Sequence, residues 1–217
     1  MTTAWCVVLA LGSGAGNALN RMARAGAIDA TFMAANTDAQ DLKRSAAPVR
    51  LLLGQKLTKG LGASGDTETG RDAVAGDREA LAAAVADAEV VIVIAALGGG
   101  TGSGGAPVVV NLARQAGKVV VAIVTHPWAF EGRRRRRVAD EGFAELTKVC
   151  DLVVVAHDGA PIEAVAGRPM RDAFADADVA VAATVADLLS ALGNVPDDSA
   201  SLEVAARTWV DARALGT

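Results

Sequence analysis

The segment at residues 98–105 combines residue types that suit the binding of an anion. Six of its eight residues are glycine, whereas a tight turn needs about one or two. Backbone without Cβ atoms can approach phosphate oxygens closely and point its N–H groups at them. Thr101 and Ser103 add hydroxyl donors, and Pro107 suits the first turn of a following helix. Because a helix N-terminus carries positive partial charge, the sequence predicts a phosphate-binding loop between the apolar run Val90–Ala96 and a helix.

A second glycine cluster, at residues 12–17, follows the first apolar run of the chain. Its spacing is close to the dinucleotide-binding fingerprint, which requires glycine at the sixth position and an acidic residue at the end of the second strand. The chain has Asn17 and Asn36 there, so a Rossmann dehydrogenase is the least favoured function. No Gly-Lys-Ser or Gly-Lys-Thr follows either cluster, which argues against a Walker loop. We therefore expect a phosphate chain held mainly by backbone amides.

Short apolar runs alternate with alanine-rich stretches of helical spacing, a pattern typical of a parallel sheet with crossover helices. The predicted strands are rich in β-branched residues and lie at 5–11, 31–35, 49–53, 90–96, 119–124 and 152–156. The predicted helices lie at 17–25, 71–86, 106–115, 133–149, 171–192 and 202–214. Residues 57–70 are predicted to be a long flexible loop. Both glycine clusters then lie at the carboxyl edge of the sheet, where open α/β sheets bind ligands.

Composition limits the class of protein. A chain of 217 residues can form one well-packed domain, and its residues are 52% hydrophobic but only 3% aromatic, which suits buried strands covered by alanine-rich helices. The net charge of -4 gives no general attraction to nucleic acid or acidic lipid. No apolar stretch reaches the roughly 18 residues of a membrane helix, and no secretory pattern is complete. We expect a cytoplasmic protein with no membrane span.

Several segments, in the correct order, resemble the tubulin and FtsZ family of cytoskeletal GTPases. Residues 98–104 read GGGTGSG, the signature of that family, and residues 14–22 resemble its first loop and helix. Residues 36–40, 56–63 and 125–135 resemble its second loop, its third loop and its ribose loop. The resemblance covers about residues 5–190. It implies a Rossmann-like α/β domain over residues 1–193 that ends in a long central helix, followed by a short helical segment at 194–217 and no second FtsZ domain.

The resemblance also implies a site for GTP or GDP with Mg²⁺. Asp38 would lie near the γ-phosphate and the water shell of Mg²⁺, which has no direct protein ligand. Ala63 would approach the γ-phosphate as a sensor loop. The phosphates themselves would be held by backbone and hydroxyl groups of Gly14, Ala15, Gly98, Gly99, Gly100, Thr101, Gly102, Ser103 and Gly104.

The same resemblance assigns the sugar and the base. Glu131 would hold the ribose hydroxyls and Arg135 the nucleotide, with Asn17 beside base and sugar. Phe174 would stack on guanine and Asp178 would accept hydrogen bonds from its N1 and N2 groups. The spacing of four residues places these last two side chains on one side of a helix.

The chain departs from the family pattern at several positions. His157 stands where the family has an asparagine that contacts guanine, and Ser64 and Thr67 replace a glycine and a proline of the third loop. The Asn-x-Asp-x-x-Asp pattern, whose acids reach the nucleotide of the next subunit, is missing from residues 194–201, so that Asp198 is the remaining candidate for a catalytic acid. We therefore expect nucleotide binding with little or no hydrolysis by this chain alone. The alternative is an active GTPase whose acids come from a partner.

The distribution of charged and apolar residues predicts which partners the chain binds. The five arginines at residues 133–137 point all round a helix and lack interleaved aromatic residues, so we expect a solvated helix start and no nucleic-acid binding. The apolar residues around 179–209 need cover, which predicts a homodimer or an association with a full-length FtsZ-like protein.

Overall fold

A computed structural model of the chain describes residues 5–26, 30–159, 167–195 and 198–214. Its centre is a six-stranded, fully parallel sheet in the order β3-β2-β1-β4-β5-β6. In the middle of the sheet, Leu9 pairs with Met33 on one side and with Val93 on the other. The strands are β1 (Cys6–Leu11), β2 (Thr31–Asn36), β3 (Val49–Leu52), β4 (Val90–Ala96), β5 (Val119–Thr125) and β6 (Val153–His157).

Helices cover both faces of the sheet, as parallel strands require. Within the described residues they are α1 (Gly12–Ala25), α2 (Ala39–Lys43), α3 (Gln55–Thr58), α4 (Thr67–Gly76), α5 (Arg78–Ala84), α6 (Gly100–Gln115), α7 (Arg133–Val149), α8 (Met170–Leu192) and α9 (Ser199–Ala214). A short 3-10 helix, Ala129–Glu131, precedes α7.

The side chains of each strand alternate between two separate cores. Val8 and Ala10 of β1 pack with α1, α8 and α9, whereas Leu9 and Leu11 pack with α4, α5, α6 and α7. Strands β1 and β4 are neighbours in the sheet, but β1 connects onward to β2 and β4 connects onward to β5. The loops therefore diverge at the carboxyl ends of β1 and β4, which leaves a crevice between them.

The prediction of an α/β fold is confirmed, and each strand lies within about one residue of its expected bounds. The glycine clusters differ from the prediction, because α1 and α6 begin inside them and Pro107 lies in the interior of α6. The predicted helix at 71–86 is two helices, α4 and α5. The predicted loop at 57–70 is shorter than expected at both ends, because α3 ends at Thr58 and α4 begins at Thr67.

Helix α9, at the end of the described chain, packs against α8. Leu202, Ala206 and Val210 of α9 are buried in the core that also contains α8. Asp187 of α8 accepts hydrogen bonds from Trp209 Nε1 at 3.2 Å and from Arg213 at 2.9 Å. Helix α9 thus covers part of the apolar surface of α8, whereas Val179 and Val204 stay exposed, and the association with a partner chain stays a prediction. Among the described residues, every helix is too short or too polar to cross a membrane.

Candidate functional site

A cleft of about 490 Å³ opens at the carboxyl edge of the sheet, between the ends of β1 and β4. Its volume lies within the range of about 300–1,000 Å³ that is common for small-molecule sites. Loops after β1, β2, β4 and β5 contribute to its walls, and α8 closes one side. The residues that both line it and were predicted from the sequence are Gly14, Ala15, Asn17, Asp38, Ala63, Gly99, Gly100, Thr101, Gly102, Glu131, Arg135, Phe174 and Asp178.

The first turn of α6 forms the floor of the cleft. After β4 the backbone turns through Gly98, whose φ of +98° favours glycine, and the N-cap residue of α6 is Gly99. Ser103 Oγ accepts a hydrogen bond from the Gly98 N–H at 2.8 Å and so closes the loop on itself. No side chain caps α6 and its first turn has no acidic residue. Its first N–H groups are therefore available to an anion.

A second helix N-terminus faces the same space. Helix α1 begins directly after β1, also without a capping side chain or an acidic residue in its first turn. A Cβ atom on Gly12 would lie 3.4 Å from Cβ of Thr101, so the two helix starts lie side by side. Apart from His126, the ionisable side chains that line the cleft are Asp38, Glu131, Asp178 and Arg135. An anion here is therefore stabilised mainly by the two helix termini, each equivalent to about half a positive charge.

The glycines of α6 fall into two groups. A Cβ atom on Gly99 would meet nothing within 4 Å and would project into open space. By contrast, Cβ atoms on Gly100, Gly102 and Gly104 would collide with backbone oxygens of Asp66, Ala96 and Thr67, respectively. Glycine at position 99 therefore keeps the cleft open. Glycine at positions 100, 102 and 104 lets α6 pack closely on α4 and on the end of β4.

The end of β2 holds both helix starts in place. Asn36 donates a hydrogen bond from Nδ2 to Ser13 Oγ in α1 at 3.2 Å. The buried hydroxyls of Thr37 and Thr101 lie 2.7 Å apart. Asp38 caps α2 by accepting from the Gln40 N–H at 2.8 Å through Oδ1, which leaves Oδ2 without a hydrogen bond among the described residues. One carboxylate oxygen is thus structural and the other can contact a ligand or its water shell.

Glu131 anchors the wall that follows β5. Its Oε1 accepts a hydrogen bond from the Trp128 N–H at 2.9 Å, and its Oε2 forms a 2.8 Å ion pair with Arg135. The Glu131 side chain is largely buried, whereas that of Arg135 is 59% exposed. The pair fixes a carboxylate beside the cleft and leaves the guanidinium accessible.

Helix α8 presents an aromatic ring and a carboxyl group to the cleft. Phe174 is 40% exposed and makes an edge contact with Phe130, with ring centroids 5.6 Å apart. Burial raises the pKa of the Asp178 carboxyl to about 6, and the charge of Arg21 opposes the rise only in part. A flat ligand can stack on the ring, and donor groups on its edge can reach the carboxylate.

Comparisons with known proteins agree with this geometry. Residues 6–164 match the description "Tubulin/FtsZ family, GTPase domain".

This chain belongs to the tubulin/FtsZ family.

The cell division protein FtsZ of Pseudomonas aeruginosa is 38% identical over 207 residues, which are 93% of this chain and 52% of that protein. A structure of an empty FtsZ dimer from M. jannaschii is 37% identical with a TM-score of 0.81 over 88% of this chain and 55% of that chain. CetZ2 from Haloferax volcanii, in a GTPγS-bound protofilament, is 29% identical with a TM-score of 0.75 over 90% of this chain and 61% of that chain. The chain thus spans about half the length of these FtsZ relatives.

Some residues that the family resemblance suggested lie outside the cleft lining. Gly98 and Ser103 shape the turn before α6, and Gly104 packs against α4. The ring of His157 lies 4.2 Å from that of Trp128, and its Nδ1 accepts from the Gly159 N–H at 3.1 Å. Burial lowers the pKa of His157, so that this ring is neutral near pH 7. Contact of His157 with a base stays a prediction.

Asp198 lies far from the cleft of its own chain. Its Oδ1 accepts from the Ser201 N–H at 2.9 Å at the start of α9. The neighbouring Ser199 donates to Glu89, which immediately precedes β4. Asp198 therefore lies at the amino edge of the sheet, whereas the cleft lies at the carboxyl edge.

Sequence reasoning missed several residues of the cleft. Thr37 follows a strand end directly before the predicted Asp38, and Ala177 follows Phe174 by three residues on α8, so local spacing could have found both. Ser13, Pro127 and Trp128 also line the cleft. Within the described residues, no group of three or more His, Cys, Asp or Glu side chains could hold a metal ion.

Proposed function

We propose that this chain binds GTP and GDP in the cleft at the carboxyl edge of the sheet. The observation that carries the proposal is the meeting of two uncapped helix N-termini in one cleft that also contains the partly buried carboxyl group of Asp178. The helix termini suit a chain of phosphates, and the carboxyl group suits the base at the other end. Family membership supports the same assignment.

The backbone N–H groups at the start of α6 and α1 hold the phosphates in this proposal. Gly99 gives the phosphates room, because a side chain there would occupy the cleft. Thr101 can donate its hydroxyl hydrogen to a phosphate oxygen while it accepts from Thr37. Mg²⁺ would neutralise part of the phosphate charge when bound, and the free Oδ2 of Asp38 would accept hydrogen bonds from its water shell, because Mg²⁺ prefers oxygen ligands and retains water.

Phe174 and Asp178 select the base. Guanine presents two adjacent donors, N1–H and N2–H, which an ionised carboxylate can accept together. Adenine presents an acceptor at this edge, which would face the Asp178 carboxylate without a hydrogen bond. The site therefore favours GTP over ATP even though His157 replaces the asparagine of the family pattern.

We also propose that the nucleotide controls assembly in the cytoplasm, through self-association or association with a full-length FtsZ-like protein, in a role related to cell division. Two similar structures support this proposal, since one is an FtsZ dimer and the other a GTPγS-bound CetZ2 protofilament. Hydrolysis by the isolated chain is slow in this proposal, because Asp198 lies at the opposite edge from the cleft. An active GTPase that receives its acids from a partner is the alternative.

Thermal unfolding with GTP, GDP or ATP in the presence of Mg²⁺ tests the binding site. A ligand at 100 times its Kd stabilises the folded state by about 2.7 kcal/mol, which for a chain of this size raises Tm by roughly 5–11 °C. We expect this rise with GTP and GDP but not with ATP. If neither guanine nucleotide raises Tm at millimolar concentration, the proposed site is wrong.

Phosphate release and light scattering separate binding from turnover. We expect slow phosphate release from the isolated chain and a change in scattering when a full-length FtsZ is added with GTP. Release by the chain alone at the rate of an active FtsZ would contradict the assignment of little self-contained hydrolysis.

A further inference from the structure

Three aromatic rings form a row beside the cleft, in a chain that has only four phenylalanines and three tryptophans. Trp128 stacks on Phe130 with ring centroids 5.9 Å apart and ring planes 10° from parallel. Phe130 in turn makes the edge contact with Phe174, whose ring plane is turned by 81°. Trp128 and Phe174 line the cleft, whereas Phe130 lies between them and outside the cleft lining.

The inner end of this row is fixed by the backbone. Trp128 is buried, and its ring also packs on that of His157. The Glu131 N–H donates to the Trp128 carbonyl at 2.9 Å, and Glu131 Oε1 accepts from the Trp128 N–H at 2.9 Å. These two hydrogen bonds span the short 3-10 helix that carries Phe130. The Phe130 ring therefore has a defined position.

The contact between Phe130 and Phe174 joins the wall after β5 to helix α8. Among the residues that the structure describes, no hydrogen bond or ion pair connects residues 126–132 with α8. The Phe174 ring is 40% exposed, so packing by its own helix leaves it freedom to change rotamer. An edge-to-face ring contact is favourable beyond the apolar area that it buries, and Phe130 supplies such a contact.

We propose that Phe130 is a positioning residue, which holds the Phe174 ring in the orientation that stacks on the base of a bound nucleotide. This inference rests on the proposed function, and it adds a residue that acts through Phe174. A ring that is already restricted loses less conformational freedom when the base binds. Because the phosphates lie at the starts of α1 and α6, Phe130 strengthens the binding of the base and leaves that of the phosphates unchanged.

Three variants and one control isolate this ring contact. Phe130→Leu and Phe174→Leu each remove one ring, and the double variant removes both. Phe143→Leu is the matched control, because Phe143 is likewise half-buried but packs on His126, with ring centroids 5.5 Å apart, and lies outside the cleft lining.

Calorimetric titration with GDP and with inorganic pyrophosphate, each with Mg²⁺, separates the affinity for the whole nucleotide from the affinity for phosphates alone. Urea unfolding checks that each variant is folded. If Phe130→Leu is unfolded, Phe130→Met, which also lacks the ring, takes its place in the same measurements.

We expect Phe130→Leu to weaken GDP binding about three- to tenfold, the effect of one aromatic pair or one immobilised side chain, and to change pyrophosphate affinity less than about twofold. In a chain that carries Phe174→Leu, the same substitution should cause no further loss, because the ring that Phe130 positions is absent. Phe143→Leu should bind both ligands as the wild-type chain does.

Three results would overturn the inference: unchanged GDP affinity in Phe130→Leu, equal losses for GDP and pyrophosphate, or additive losses in the double variant. Each of them leaves the nucleotide site in place, since the wild-type chain still binds GDP. Failure of the wild-type chain to bind GDP would instead overturn the proposed function, and this inference with it.

Discussion

We predict that the Asp178 carboxyl makes the proposed binding of guanine nucleotides depend on pH. Burial raises its pKa to about 6 in the unliganded protein, and acceptance of hydrogen bonds from guanine requires the ionised form. With that pKa, nearly all molecules are ionised at pH 7.5 and about a tenth at pH 5. We therefore expect the affinity for GDP to fall roughly tenfold from pH 7.5 to pH 5, and binding near pH 6 to release a proton.

The same carboxyl affects stability in the opposite direction. Its pKa is about 6 in the folded chain and 3.8 as the ordinary value, so the folded state binds the proton more tightly. The resulting stabilisation is present below pH 3.8 and is lost as the pH rises through 6. The full difference corresponds to about 3 kcal/mol, and since this side chain is only partly buried, a discounted value of about 1–2 kcal/mol is appropriate. Replacement of Asp178 by asparagine should therefore stabilise the unliganded protein at pH 7.5.

Two other sources of pH dependence must be separated from Asp178. Burial lowers the pKa of His126 and His157, and the terminal phosphate of the nucleotide takes up a proton near pH 6. Both persist in the variant Asp178→Asn. Asp172→Asn, on the same helix and outside the cleft lining, is the matched control.

The measurement is calorimetric titration with GDP at pH values from 5 to 8, combined with urea unfolding at pH 7.5. In Asp178→Asn, we expect weaker binding at pH 7.5, a flatter pH profile and a higher free energy of unfolding. Asp172→Asn should follow the wild-type chain. If Asp178→Asn binds GDP as tightly as the wild type at pH 7.5, Asp178 does not contact the base.

Two further predictions concern the packing around α6. Thr37→Val or Thr101→Val removes one hydroxyl of the buried pair and leaves the other unpaired, so each should lower the free energy of unfolding in urea by about 1–3 kcal/mol. The double variant should lose less than the sum of the two single losses. Additive losses would show that the two hydroxyls are not coupled. Gly70→Ala should destabilise the fold because its Cβ collides with the Gly100 carbonyl, whereas Gly16→Ala, with nothing within 4 Å in helix α1, should stabilise it by about 0.5–1 kcal/mol. The same destabilisation by both substitutions would argue against close packing as the reason for glycine at position 70.

Local pattern predicted the strands well, because each is a short run of β-branched residues between polar or glycine-rich segments. It did not predict that the glycine clusters are helical, since glycine has a low helix propensity. The first turn of a helix makes few internal hydrogen bonds, and the close packing of Gly102 on Ala96 excludes any larger residue. That requirement comes from tertiary structure.

Part of the candidate site could likewise be predicted from the sequence, and part of it could not. Phe174 and Asp178 could be placed on one helix face from spacing alone, and both line the cleft. The position of His157 could not be predicted, because it pairs with Thr125 at an irregularity between β5 and β6 and its ring packs on Trp128. The shape of the loop after β3 depends on the bridge between Asp38 and Leu61, which lies outside any local pattern.

The cleft and Asp198 lie at opposite edges of the sheet. Strand β4 has seven residues, so at a rise of about 3.3 Å for each step its first and last Cα atoms are roughly 20 Å apart. The glycine turn before α6 follows one end, and Asp198 precedes Ser199, which donates to Glu89 at the other. Because β4 is paired on both sides, with β1 and β5, its two ends are held apart, and Asp198 lies at the end opposite to the cleft of its own chain. We therefore predict that Asp198→Ala leaves nucleotide binding by the isolated chain unchanged, and that any effect of this residue on hydrolysis requires a second molecule.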